Sequence, residues 1–303
     1  MKLVAALILV CAMEAQAPPN PSAASTPGAE TETPALLHND GKPMLIPFAC
    51  TEEDMEWAGM TCSEEQPCPV YLELSAVENL GNRLIALGNI HNETTTLDSL
   101  ILLSEDAGAT WREPYERMRG VGVDHIQFLD FQNGWISGET LVPVSRDPFL
   151  LITSDGGKNW RLRPVVADGI GGAIQQFHFD SATNGALVLD RMQSSESSRY
   201  QLYETPNGGE TWMIRRTSER PLEIPRAAQA PADSDWRIHA DARSKSFAIE
   251  KRKDERWSAV ANFLVQIGTC KPVPRPAPAP PTEEDTAPKP ENLPTFQVKP
   301  PKR

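Results

Sequence analysis

The chain has 303 residues and a formal charge of −12. An acidic excess of that size argues against a polyanionic partner, so neither nucleic acid nor an anionic membrane surface is expected as a ligand. Much of the proline sits in two tails, and the roughly 225 residues between them are enough for one good core.

Lys2 precedes an apolar run from Leu3 to Met13, and Ala15-Gln16-Ala17 follows with small residues where a signal peptidase cuts. Residues 1–17 are therefore expected to be a secretory signal, with the mature chain starting at Pro18. The run is too short for a membrane span. Cys11 is a poor lipidation site, because Val10 stands where a small residue is wanted. Residues 18–43, rich in Pro, Ala, Ser and Thr, read as a leader with no core of its own. Residues 44–69 carry Cys50, Cys62 and Cys68 and read as a disulfide-held cap with Trp57 at its apolar centre.

Residues 70–270 form the expected globular domain. A first group of strands covers Tyr71–Ala76, Arg83–Asn89 and Leu97–Leu103, with another starting at Thr110; similar groups span about 121–168 and 172–219. In each group an apolar run leads into one pattern: Ser104-Glu105-Asp106-Ala107-Gly108-Ala109-Thr110-Trp111, then Thr153-Ser154-Asp155-Gly156-Gly157-Lys158-Asn159-Trp160, then Thr205-Pro206-Asn207-Gly208-Gly209-Glu210-Thr211-Trp212. Asp106, Asp155 and Asn207 stand 49 and 52 residues apart, the period of a four-stranded propeller blade. The pattern suits a tight turn. Ser104, Thr153 or Thr205 opens it, and Asp or Asn accepts backbone N–H groups. Gly108, Gly157 and Gly209 allow a positive φ, and the Trp buries a large ring at the start of the next strand.

A second landmark keeps the same phase. Asn133-Gly134 and Asn184-Gly185 are hairpin signals, placed between first strands at Gln127–Asp130 and Gln176–Phe179 and second strands at Gly134–Glu139 and Gly185–Asp190. After a Pro/Ala connection over 220–234, Trp236–Asp241, Ser246–Glu250 and Arg256–Phe263 alternate as strands of a degenerate fourth blade. This blade lacks an obvious innermost strand, Arg252 replaces the box acid, and Trp257 stands 45 residues after Trp212. Residues 271–303 read as an extended proline-rich tail.

The repeated pattern resembles the Asp-box, or BNR repeat, of sialidase-like, sortilin-like and photosystem II assembly factor β-propellers. Asn133-Gly134-Trp135-Ile136-Ser137-Gly138 looks like the Gly-Trp-x-x-Gly strand of the last of these families. The resemblance implies an all-β, propeller-like scaffold of about four blades, three clear and one degenerate, that binds through loops at one end. It implies a structural role for the box residues. A sialidase would need three arginines clamping a carboxylate and a Tyr/Glu nucleophile pair. Leu45-Ile46-Pro47 and Glu223-Ile224-Pro225 lack the arginine of the family's Arg-Ile-Pro, and Tyr71 has no evident Glu partner. None of the five histidines has a recognised ligand spacing, although His125 and His178 fall at or near successive first strands. No phosphate loop, dinucleotide fingerprint or Gly-x-Ser-x-Gly is present. No catalytic residue, metal or cofactor is expected.

Four cysteines remain after signal removal, an even number suited to two disulfides in an exported chain. If the blades close into a ring, Cys68 before the first strand meets Cys270 after the last, and Cys50–Cys62 holds the cap. The rival pairing, Cys62–Cys68 with Cys50–Cys270, ties the same ends. The function expected is an exported, non-enzymatic binding or assembly scaffold that holds a protein partner. The alternative is a carbohydrate-binding or glycoside-processing module, so the partner class stands as protein or glycan.

Overall fold

The computed structural model of the protein describes residues 36–141, 144–166, 169–192, 198–224 and 235–272. The expected signal peptide, the leader up to residue 35 and the tail from residue 273 lie outside them. A short strand β1 (Leu37–His38) and a helix α1 (Glu52–Trp57) precede the sheets. The first blade holds β2 (Cys68–Leu80), β3 (Arg83–His91), β4 (Thr96–Ser104), β5 (Thr110–Trp111) and β6 (Met118–Arg119). The second holds β7 (Val121–Phe128), β8 (Gly134–Thr140), β9 (Arg146–Thr153) and β10 (Arg161–Pro164), and the third β11 (Ala173–Phe179), β12 (Gly185–Asp190), β13 (Tyr200–Thr205) and β14 (Met213–Ser218). The fourth has β15 (Trp236–Asp241), β16 (Ser246–Lys253) and β17 (Arg256–Leu264), followed by β18 (Gln266–Cys270). The fold is all-β and propeller-like, and the strands of each blade pair antiparallel in chain order, except that in the first blade β5 pairs with β1 and β6 takes the place beside β4.

The middle strands of the first three blades are apolar on both faces because those sheets are covered on both sides. Leu84 and Ala86 of β3 join Leu72, Leu100, Trp111, Ile249 and Phe263 in a core between the first and fourth blades. Ile85 and Leu87, the alternate residues, join Ile101, Val123, Ile136, Leu151 and Trp160 between the first and second. Trp135, Ile152, Phe177, Phe179, Leu187 and Tyr203 fill the space between the second and third. The remaining side of the third blade is covered by residues of its own connection: Leu222 and Ile224 pack on Val188 and Tyr200. Among the described residues no core cluster joins the third blade to the fourth.

Several expectations are corrected here. Residues 36–43, assigned by composition to the leader, belong to the fold. Leu37 and His38 pair with Trp111 and Thr110, and the Asn39 amide donates to the carbonyls of Gly108 and Val260 at 2.9 and 2.7 Å. Met44 then lies parallel to β17, its N–H donating to Asn262 O and its carbonyl accepting from Leu264 N, each at 2.8 Å. The fourth strand of the first blade is split between β5 and β6, with Pro114 between them supplying no N–H for pairing. In the fourth blade the missing strand is the outer one, since β15 lies beside β2 and the Met44 segment stands at the free edge of β17. Trp257 consequently falls one strand too early to be a box tryptophan. The turn before it is a two-residue hairpin, with Asp254 and Glu255 at φ 48° and 62°.

The favoured disulfide pairing is also corrected. Cys270 does reach Cys68, as its register partner across β18 and β2, but the bonds are Cys50–Cys270 and Cys62–Cys68. The segment running along β17 brings the Cys50 Cα within 5.2 Å of that of Cys270. The cap turns back on itself and leaves Cys62 at 5.4 Å from Cys68. Helix α1 of the cap is started by a capping box, Thr51 with Asp54. Its Met55 enters the core between the first and fourth blades. Trp57, expected at the cap's centre, instead lies over Gly120 at the edge of the first blade, where a Cβ would sit 2.3 Å from the ring.

Candidate functional site: the turns at the box end

All three boxes lie between the third and fourth strand positions of their blades, and all three build the same turn. The first residue is a hydroxyl that accepts from the N–H four places on: Gly108 to Ser104 at 2.8 Å, Gly157 to Thr153 and Gly209 to Thr205 at 3.0 Å. The acid or amide accepts from that hydroxyl and from the residue before the tryptophan. Thr110 N reaches Asp106 at 2.8 Å, and Asn159 N and Thr211 N reach Asp155 and Asn207 at 3.0 Å. The glycines take φ of 92°, 83° and 96°, where a side chain would be strained. They also face the preceding blade closely, since a Cβ on Gly108 would stand 2.7 Å from Val260 and one on Gly157 2.9 Å from Ile85. The Trp111 and Trp160 indoles each donate to their box glycine's carbonyl at 3.1 Å. Trp212 Nε1 is buried with no acceptor among the described residues.

Each box is also tied to the first turn of its own blade. The residue after the acid donates its N–H to a carbonyl there: Ala107 to Asn82 at 2.7 Å, Gly156 to Gln132 at 2.9 Å, Gly208 to Thr183 at 2.7 Å. The two turns at this end of each of the three boxed blades are thus one hydrogen-bonded unit. Hydrogen bonds from Thr110 hold the Asp106 carboxyl below its usual range. At Asp155 burial acts upward but is outweighed by Asn159, Thr153 and Lys158 N–H, so this carboxyl is lowered too.

The Asn-Gly pairs need a different explanation from the one their sequence suggests. Neither Gly134 nor Gly185 has a positive φ. Each opens a second strand, and a Cβ there would strike the ring of Phe128 or Phe179, at 2.6 and 2.5 Å. Asp130 fixes the turn before Gly134 by accepting from Gln132 N and Asn133 N, both at 2.7 Å. The phase therefore aligns Phe128 with Phe179, and Gln127 with His178 rather than with Gln176.

Residues that sequence reasoning passed over hold the blades to one another. The Asn89 amide pairs with both backbone groups of Val123, at 3.0 and 3.1 Å. Gln127 does the same to Phe179, at 2.8 and 3.0 Å. Each amide imitates one rung of a sheet across a blade junction. The one available signal was an amide inside an apolar strand run such as Leu84–Ile90.

His125 and His178 lie on the first strands β7 and β11. His125 Nδ1 is 3.5 Å from Ser137 Oγ, and His178 Nε2 is 3.3 Å from Asp180. Among the described residues no three His, Cys, Asp or Glu side chains gather as a metal site, and no helix is long and apolar enough to cross a membrane. Two carboxyls hold protons in the neutral range. Burial pushes Glu78 to about 7, and burial with the nearby Asp124 charge pushes Glu139 to about 8. Asn92 caps its own loop, accepting from Thr94 N and Thr95 N at 2.8 and 2.7 Å.

At the box end, between the first and second boxes, lies a depression of about 540 Å³ lined by Asn82, Arg83, Glu105, Phe131, Gln132, Asp155 and Lys158 among others. Phe131 is 68% exposed, although the turn that carries it is tied at Asp130 and Gln132.

The chain is similar to solved structures at low identity. One is "YCF48 bound to D1 peptide", with 12% identity and a TM-score of 0.33 over 63% of this chain and 57% of that one. Another is YCF48 from Cyanidioschyzon merolae, with 16% identity and a TM-score of 0.31 over 62% of this chain and 59% of that one. The chain thus spans under two thirds of the length of either. No family model matches the chain, and no curated protein matches it.

Proposed function

We propose that the protein is an exported, non-enzymatic binding or assembly scaffold that holds a protein partner on the turns at its box end. The observation that supports this is Phe131. A large apolar ring stands in solvent beside an open depression, on a turn tied to its own box by the backbone hydrogen bond from Gly156 N to Gln132 O. A preformed surface of this kind loses little entropy on binding, and an exposed ring with a polar rim suits a protein interface. Two disulfides support the export part of the reading, since such bonds persist in oxidising compartments.

The experiment is site-specific photo-crosslinking in the exported protein. A crosslinking residue at Gln132 or Phe131 should capture a discrete protein, whereas one at Lys253 on the fourth blade should not. Equal capture at both places would remove the box end as the binding face. N-terminal sequencing of exported material should give Pro18, and retention of Met1 would defeat the export reading.

A further inference from the structure

Successive blades are also tied by side chains that reach one blade onward to the carbonyl after the second conserved box position. Leu84 pairs with Ser104 as Gly134 pairs with Thr153, so the counterpart of Trp135 is the buried Ile85, and Arg83 makes the same reach from two register positions earlier. Arg83 Nη1 donates to Gly156 O at 2.9 Å, and Trp135 Nε1 donates to Gly208 O at 3.0 Å. Beyond that shared bond they differ. Trp135 stacks on Phe179 with ring centres 3.8 Å apart and an interplanar angle of 6°, and it fills its crevice. Arg83 fills nothing comparable. Its Nη2 is 3.5 Å from Glu105, and its Nε is buried with no acceptor among the described residues.

Two more cations converge on the same Glu105 carboxylate, Arg112 at 3.2 Å and Lys158 at 3.7 Å. The Glu105 side chain is 44% exposed, and exposed pairs of such lengths contribute little each. The result is a depression lined by Arg83, Lys158 and Phe131 together with the carboxylates of Glu105 and Asp155. Asp155 is engaged by its own box, while among the described residues Glu105 is held only by these cations, with Arg112 reaching it from outside the lining.

We infer that this depression recognises an acidic peptide segment. A ligand Asp or Glu carboxylate takes the place of Glu105 among Arg83, Arg112 and Lys158, while an adjacent apolar side chain lies against Phe131. This rests on the reading that the box end holds a protein partner. Glu105 is then the protein's own occupant of the site. It competes with the ligand carboxylate, so removing its charge strengthens binding rather than weakening it. The local cations also answer how an acidic ligand approaches a chain of charge −12: complementarity is confined to the site and acts within a Debye length.

Fluorescence polarisation with the full chain tests this. The probes are a labelled, end-blocked pentapeptide Ala-Leu-Glu-Phe-Ala and its counterpart with Gln for Glu. The Glu peptide should bind about tenfold more tightly than the Gln peptide at low salt, and less so as salt is raised. Glu105→Gln should tighten the Glu peptide severalfold and leave the Gln peptide unchanged. Lys158→Gln should weaken the Glu peptide alone, and Phe131→Ala should weaken both. All three positions are solvent-facing, and thermal melts confirm folding of each variant. Equal affinity for the two peptides, no binding of either, or loss of affinity in Glu105→Gln would each overturn the inference. If crosslinking at Phe131 persists while these peptide results fail, the scaffold reading stands and the acidic ligand falls.

Discussion

The junction of the fourth and first blades and the outer side of the third blade are both places where a blade is not packed, among the described residues, on the blade that follows it in sequence: none follows the fourth, and the third shares no core cluster with the fourth. They are finished in opposite ways. At the junction the chain's two ends are exchanged: the Met44 segment runs along β17, β18 pairs with β2, and Cys50–Cys270 bonds the two together. A core including Trp111 and Phe263, in edge contact at 5.4 Å, lies beneath. The outer side of the third blade has only Leu222 and Ile224, with the Gln176 amide donating to Leu222 O at 2.8 Å. Its outermost strand leaves Met213 and Ile214 about half exposed. The first three blades pack on their sequence neighbours, whereas the junction between distant segments has dedicated devices that offset its loop entropy.

The largest expected effect lies in the disulfides. Cys50 and Cys270 are 220 residues apart, and the loop-entropy relation gives about 5 kcal/mol for such a closure. The same relation gives about 2 kcal/mol for Cys62–Cys68, with a separation of 6. Denaturant melts of Cys50→Ser and Cys62→Ser should rank in that order, and a reversed ranking would show that the junction is not held by its long closure. Next, Phe263→Ala at the junction should cost about 3–5 kcal/mol, and Leu222→Ala only about 2, because a short strap relaxes into the space left. Equal costs would mean that the third blade's side is a true core.

The second blade supplies a pH test between these extremes. Glu139 is 6% exposed, and its folded value of about 8 lies above the ordinary 4.5. The folded state therefore keeps a proton that the unfolded state has released. Stability from this group is full below pH 4.5 and is lost as pH rises through about 8. Glu139→Gln should remove that loss and stabilise the chain at pH 9 by up to about 5 kcal/mol. Melts at pH 5 and pH 9 measure it, and a wild-type chain equally stable at both would refute the protonated carboxyl. The smallest effect belongs to the box turns. Asp106→Ala leaves backbone donors of an exposed turn without their acceptor and should cost about 1–3 kcal/mol, read as a lowered melting temperature. Because the carboxyl is lowered in the folded state, that difference should shrink as pH falls below its ordinary 3.8.

The boxes were legible because their chemistry is local. Ser104, Asp106 and Gly108 satisfy one another within five residues, so their spacing carries the turn. Gly134 was legible as a landmark and misleading as a mechanism, since what it accommodates is the ring of Phe128, six residues away across a hairpin. Arg83 and Phe131 gave no signal at all. Their importance comes from Glu105, Lys158 and Gly156, which lie on other turns.

By itself the sequence determined the all-β class, the four strand groups, the period near 50 residues and the turn chemistry of the three boxes. These follow from side-chain alternation and from hydrogen bonds between near neighbours. Only the tertiary structure decided that the fourth blade packs on the first, that residues 36–44 belong to the fold and that Cys270 bonds Cys50 rather than its register partner Cys68. It also decided that Arg83 and Lys158 meet Glu105 beside the exposed Phe131 ring, between the first and second boxes. Such choices depend on which distant segments meet, and that meeting is set by packing across sheets rather than by any pattern written along one strand.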